Sequence, residues 1–153
     1  MNLKQITKKD QLDLKKLYFN SIISIEERIY SLEQKRAWAS QAWNNKSFDL
    51  SILQGKGWII KNNEEIIAFA TRYPNYKIAL LYCKGDSQRK GYGTKLIHKL
   101  EIDAKEEGLS FLLTEASLIS YKLFLKNKWE IIRKEKITIN NIIFERYKMI
   151  KNF

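Results

Sequence analysis

The chain of 153 residues holds one cysteine, one proline and one histidine, and each scarcity closes a route to function. A single cysteine, Cys83, permits no intrachain disulfide and gives no sign of an oxidising compartment. One cysteine and one histidine fall short of the roughly four ligands a Cys/His zinc site takes, so no metal is expected. A Ser-His-acid triad has only His98 to draw on. That residue falls beside the apolar stripe Leu96, Ile97, Leu100 and Ala104 and next to Lys99, where a solvated or half-buried histidine is expected. No apolar stretch approaches the ~20 residues that span a bilayer, and the opening residues lack the apolar core of a signal peptide. The expectation is a cytoplasmic protein without membrane contact.

Charge of one sign is plentiful. Lys and Arg outnumber Asp and Glu by 28 to 17, a net charge of +11. Such an excess attracts anions: nucleic acid, a membrane surface or a phosphorylated cofactor. No run of five or more basic residues occurs, the densest patches being Lys8-Lys9, Lys15-Lys16 and Arg133-Lys134. Acidic residues are spread through the helical segments, so a solvated lysine-rich surface is expected rather than a nucleic-acid interface. With 44% hydrophobic and 29% charged residues the composition is globular, and the length fits one domain over residues 1–153.

The hydrophobic pattern gives the order β-α-α-β-β-β-α-β-α-β-β. Residues 2–6 alternate as a strand, and Leu14, Leu17, Tyr18 and Ile22 recur at helical spacing to about residue 25. Ser31 to Gln34 opens a second helix carrying Ala37, Trp38, Ala42 and Trp43. Strands are expected at 58–60, 65–71 and 77–83, then a helix from Gly91 to about Glu107 stopped by Gly108. A strand at 109–114, a helix over 117–127 and two strands joined at Asn140-Asn141 complete the chain. A strand–helix–strand crossover flanked by hairpins implies an α/β (α+β) fold, a mixed, mostly antiparallel sheet covered by helices.

The segment Gln88-Arg89-Lys90-Gly91-Tyr92-Gly93-Thr94 links a hydrophobic strand to an amphipathic helix. The first turn of a helix has amides without intrahelical partners, and its dipole favours negative charge. Glycines at alternate positions let backbone approach a phosphate and allow positive φ, while Arg89 and Lys90 add charge. Four or five charge-assisted amide contacts of roughly 1.5–3 kcal/mol each would hold a diphosphate without metal. Leu96 stands where the dinucleotide fingerprint requires a third glycine, and the Gly-Lys-Ser/Thr of a nucleotide phosphate loop is absent. An ordinary glycine-capped strand–turn–helix is the competing reading of these residues.

The segment from Leu81 to Gly93 resembles the acetyl-CoA-binding motif of the GNAT acetyltransferase superfamily, Gln/Arg-x-x-Gly-x-Gly/Ala, and the element order is similar to that fold. Tyr30-Ser31-Leu32-Glu33-Gln34 with Ala37-Trp38-Ala39 resembles a subgroup of small bacterial members, as do Glu115-Ala116-Ser117 and Met149. The resemblance implies acetyl-CoA as co-substrate. Leu81, Tyr82 and Cys83 would run beside the pantetheine arm, with one amide polarising the thioester carbonyl. The amides of Arg89, Lys90, Gly91, Tyr92, Gly93 and Thr94 would cradle the pyrophosphate, with Gln88 leading into them. Ser117 stands where many members have an asparagine that contacts pantetheine. It also implies a small-molecule or peptide amine as acceptor, and often a homodimer.

Two positions depart from the pattern. The tyrosine that often protonates the departing thiolate is Phe124, placed at the cofactor, and the following glycine is Lys128. A thiol pKa near ~8.5 makes the thiolate a leaving group that water can protonate; Tyr121 and Tyr82 are the substitutes within reach. An amine of pKa ~10 must lose a proton before attack, and Glu115, Glu26 and Glu27 are the candidate bases. Tyr30, Trp38 and Trp43 are candidates for the acceptor pocket, with core packing the alternative for the tryptophans. Cys83, among apolar neighbours, reads as packing rather than an acyl carrier. These departures leave open a CoA-binding protein of this fold with little turnover.

Overall fold

A computed structural model describes residues 2–153. Seven strands form one sheet in the order β1-β2-β3-β4-β5-β7-β6. They are β1 (Asn2–Gln5), β2 (Lys56–Asn62), β3 (Glu65–Arg72), β4 (Lys77–Cys83), β5 (Phe111–Ala116), β6 (Glu130–Ile139) and β7 (Ile142–Asn152). Every neighbouring pair is antiparallel except β4 and β5. The helices are α1 (Gln11–Ile23), α2 (Leu32–Ala39), α3 (Gln41–Asn44), α4 (Lys46–Leu53), α5 (Tyr92–Glu106) and α6 (Tyr121–Lys126). Among the described residues no helix is long and apolar enough to cross a membrane.

Alternation along the central strands divides the core between the two faces of the sheet. Ile60, Ala68 and Ala70 face α5 and pack with its Leu96, Ile97, Leu100 and Ala104. Ile59 and Phe69 face the opposite way, onto Leu14, Tyr18 and Ile22 of α1 and Phe48 and Ile52 of α4. Deleting one such fully buried aliphatic side chain costs about 2–5 kcal/mol. α5 ends where Gly108 takes φ 86°, with its amide on Lys105 O and that of Leu109 on Ala104 O. This left-handed residue is easy only for glycine. Asn140 (φ 51°) and Asn141 (φ 65°) make the tight turn between β6 and β7.

The parallel pair is the unusual feature of the sheet. Only Lys77–Leu113 and Ile78–Thr114 are in register between β4 and β5. Beyond them β4 stays paired with β3 as far as Cys83, and β5 stays paired with β7 as far as Ala116. The two strands therefore part like the arms of a V. A register shift in β4, where Thr71 faces Leu80 but Arg72 faces Ile78, leaves Ala79 as an extra residue where the parting begins.

The strand expected at 58–60 runs over Lys56–Asn62 and the one expected at 109–114 over Phe111–Ala116, and three helical stretches depart further. The second helix breaks at Ser40, whose hydroxyl donates to Ala37 O (2.8 Å), and Trp43 falls in the separate turn α3. α4 was not expected at all, although Asn45 caps it by accepting Ser47 N–H at 2.9 Å. The expected helix over 117–127 begins only at Tyr121. Before it, Ser117 Oγ accepts the amides of Ile119 (3.2 Å) and Ser120 (3.1 Å), and Ser120 Oγ accepts that of Ser117 (3.1 Å). Short polar side chains that bond their own backbone compete with helix in this way.

Candidate functional site

The open V is flanked by two concavities. One, of about 780 Å³, runs from the α1–α2 connection past Cys83 and Gln88 to the start of α5 and the first turns of α6. The other, of about 510 Å³, lies on the α1–α4 side and is closed by the β6–β7 hairpin. They share Trp38, Leu81, Tyr82, Ser117 and Ser120, so they meet where β4 and β5 part.

The larger cleft presents backbone donors beside its apolar side chains. Gln88 is extended, Arg89 takes φ 62° and Gly91 takes φ 85°, after which α5 begins. Positive φ at alternating positions turns successive amides toward one side, the geometry of an anion-binding nest. Among the described residues the amides of Gln88 through Thr94 donate to no protein acceptor, the first returning bond being Lys95 N–H to Gly91 O. Gly91 is needed for its φ, and a Cβ there would meet nothing within 4 Å. Gly93 has a packing reason of its own. A Cβ on it would lie 2.6 Å from Leu123 Cδ2, so its absence lets α6 press against the start of α5. Asn127 Nδ2 reinforces that contact at Thr94 Oγ1 (3.3 Å). Lys90 is exposed and does not line the cleft, whereas Arg89 does.

Along β4 the pairing fixes which amides are free. Lys84 N–H donates to Ile67 O at 2.8 Å, so by alternation the amides of Tyr82 and Leu80 also point to β3. Those of Leu81 and Cys83 point into the open V. Cys83 itself donates its thiol proton to Ser87 O (3.3 Å), and burial, aided by Asp86, pushes its pKa up to about 11. It stays a thiol at neutral pH and offers no nucleophile. Burial likewise raises Tyr18 and Tyr82, whose rings meet edge-on at 4.6 Å, and both keep their phenolic protons. Tyr121 lines the larger cleft, stacked on Tyr147 at 4.3 Å.

The smaller cavity is made of side chains. Tyr30 and Phe124 line it, as does Glu115. Phe124, expected at the cofactor, is 2% exposed, packs edge-on against Trp129 (4.9 Å) and borders this cavity rather than the larger cleft. Lys128, where the resemblance has glycine, takes φ 71° as the chain leaves α6. Glu115 is already paired with Lys77, at 3.2 Å. Glu26 and Glu27 lie in the exposed α1–α2 connection, where Glu26 pairs with Arg28. Trp43 is 51% exposed against Phe19 and belongs to neither concavity.

Tyr30 has a role that its sequence neighbours explain. Its hydroxyl oxygen accepts Leu118 N–H at 2.9 Å, and burial raises its pKa. Next to it Ser31 Oγ accepts Gln34 N–H (3.1 Å) while Gln34 Oε1 accepts Ser31 N–H (2.9 Å), a capping box at the head of α2. The amide end of Gln34 then donates to Ile143 O (3.1 Å), and Lys35 Nζ caps α1 through Ile23 O and Ile25 O. The Tyr-Ser-x-Glu-Gln stretch and the Lys35 that follows it thus tie α1, α2, the Ser117–Ser120 turn and the hairpin together around the seam. Lys77, Ser120 and the hairpin residues Phe144 to Arg146 carry no local signature and were not foreseen as part of the site.

A free-amide loop at one mouth of a split sheet, with a second cavity reaching the same split from behind, gives two binding spaces that meet at one seam. Residues 19–127 match the acetyltransferase (GNAT) family, and the chain belongs to that family. A sequence search of curated proteins returns no match. In fold the chain is similar to the GCN5-related N-acetyltransferase from Rhodopseudomonas palustris, with TM-score 0.92 and 25% identity over 99% of this chain and 95% of that one. It is also similar to the PaiA N-acetyltransferase from Thermoplasma acidophilum, solved in complex with coenzyme A (TM-score 0.76, 17% identity, all of both chains). YncA from Salmonella typhimurium, solved with its cofactor acetyl-CoA, gives TM-score 0.68 and 15% identity over 99% and 93%.

Proposed function

We propose that this acetyltransferase moves the acetyl group of acetyl-CoA onto a primary amine by direct attack. The observation that carries the reading is the meeting of the two concavities at Leu81, Tyr82, Ser117 and Ser120. The pyrophosphate takes the free amides of Arg89 to Thr94, and the thioester arm lies along the open edge of β4. There the amide of Leu81 or Cys83 is aimed at the carbonyl oxygen as negative charge develops on it. The amine arrives from the side-chain cavity, and the thiolate leaves toward the larger cleft. A primary amine of pKa ~10 is about one part in a thousand neutral at pH 7, a cost of about 4 kcal/mol. With Glu115 engaged by Lys77, that proton passes to solvent through the open cavity.

One observation favours a second reading. Phe124 supplies no hydroxyl at the seam, as expected of a coenzyme-A-binding protein with little turnover. The test separates the two: isothermal titration with acetyl-CoA, then thiol release across a panel of primary amines. Saturable binding with thiol release supports transfer, and binding without thiol release supports the second reading. No binding at ~1 mM acetyl-CoA, an affinity weaker than about 4 kcal/mol, overturns both.

A further inference from the structure

Two charged strand residues face the acceptor side without a part in the scheme above. Lys77 opens β4, and its Nζ lies 3.4 and 3.2 Å from the two carboxylate oxygens of Glu115 near the end of β5. Both side chains are part-exposed (29% and 28%) and both line the smaller cavity. Ser117 follows Glu115 by two residues, just past the end of β5, about 7 Å of extended chain away. The pair therefore stands within a small molecule's length of the seam.

The other charges around the cavity are also matched. Glu145 is held by Lys134 at 2.8 Å, and Arg146 bonds Glu135 at 2.8 Å. Among the described residues no carboxylate lining the cavity lacks a cationic partner, and the chain as a whole carries +11. A polycation finds no unpaired acid here and meets a repelling field. A lone ammonium beside Glu115 would crowd Lys77 with a second positive charge, in a half-buried space where repulsion exceeds that in water. A lone carboxylate beside Lys77 creates the mirror imbalance. A molecule bearing both charges close together satisfies both strand residues and leaves the balance unchanged.

From this juxtaposition we propose that the acceptor is a small zwitterion of the amino-acid type. Lys77 takes its carboxylate, Glu115 orients its ammonium, and its side chain lies against the aromatic wall of Trp38 and Phe144. The proposal rests on the acetyl-transfer reading and narrows its acceptor. The ammonium loses one proton to solvent, the neutral nitrogen forms the N–C bond, and the C–S bond breaks with its electron pair on sulfur. The second proton lost by nitrogen balances the thiolate.

The test compares thiol release from acetyl-CoA for matched pairs, L-phenylalanine against phenethylamine and L-leucine against 3-methylbutylamine, with spermidine alongside. The expected result is kcat/KM at least about tenfold higher for each amino acid than for its decarboxylated partner. Lys77→Met should reverse that preference, because it removes the carboxylate's partner and frees Glu115 for a cation, and Lys77→Arg should restore it. Equal or faster reaction of the decarboxylated amines or spermidine overturns the proposal, as does a preference that Lys77→Met leaves untouched. Transfer to no member of either pair also overturns it, while the acetyl-CoA titration shows separately whether the cofactor reading stands. If Lys77→Met fails to fold, the unmodified protein's preference within each pair decides.

Discussion

The two concavities that meet at the seam are built from different materials. The larger offers main-chain donors, the free amides from Gln88 to Thr94 and the open edge of β4 at Leu81 and Cys83, beside apolar side chains such as Ile25, Ile29 and Leu123. The smaller is made of side chains drawn from α1 to α4, β4, β5 and the β6–β7 hairpin. Main-chain recognition needs a few residues of defined conformation in one short stretch, and tolerates wide change elsewhere. Side-chain recognition depends on which residues distant segments happen to bring together. One side of the seam suits a constant partner and the other a variable one.

This contrast can be broken or sharpened at five places. Cys83 sits on the main-chain side with a pKa near 11, so at pH 8 its thiolate fraction is about two orders of magnitude below that of a free cysteine. Alkylation by iodoacetamide should be slower by that factor and should rise with pH up to about 11. Labelling at the rate of a free thiol would mean the seam is far more open than the structure has it.

Tyr30→Phe removes the acceptor of Leu118 N–H while keeping the ring packing against Trp38 (5.1 Å). Leaving that amide unpaired should cost about 1–3 kcal/mol in urea unfolding. It should also speed hydrogen exchange at Leu118 and lower kcat through the Ser117–Ser120 turn. An unchanged kcat would separate this tie from the site. Gly91→Val forces a β-branched residue into φ 85°. Relaxing that strain, about 1–2 kcal/mol, moves the amides and should weaken acetyl-CoA binding about tenfold in calorimetry. Arg89→Ala, which alters only an exposed side chain, should weaken it less and mainly at low salt.

The smallest effect is a gain. Lys128 is exposed and holds φ 71° at the end of α6, where glycine would sit without strain. Lys128→Gly should raise stability by about 1 kcal/mol in chemical denaturation, and a loss instead would show that the lysine side chain repays its backbone.

The same division explains what the sequence revealed. The loop from Gln88 to Thr94 was legible because its cues are local: a strand, two glycines, basic residues, then a helix with Leu96, Ile97 and Leu100 on one face. Even there one cue is not local, since the lack of a side chain at Gly93 also answers to Leu123, a residue thirty positions away. A mixed, mostly antiparallel sheet followed from hairpins and one crossover, though not the place of β7 between β5 and β6. Its parting between β4 and β5 did not, because nothing in either strand states that pairing stops after Ile78 and Thr114. Lys77 was invisible for a like reason, its partner Glu115 lying on another strand. α4 was missed despite an Asn45 cap and the buried Phe48, Ser51 and Ile52, a pattern too short to stand out beside Gly55 and Gly57. Tyr30 drew notice through its motif, but its bond to Leu118 is made 88 residues away.

The central claim is that the free amides between Gln88 and Thr94 hold the phosphates of acetyl-CoA. Calorimetric titration of the unmodified protein and of Gly91→Val with acetyl-CoA tests it most directly. The account predicts one saturable site per chain in the first and about tenfold weaker binding in the second. Absence of binding at ~1 mM to the unmodified protein, or equal affinity of the two, would contradict it.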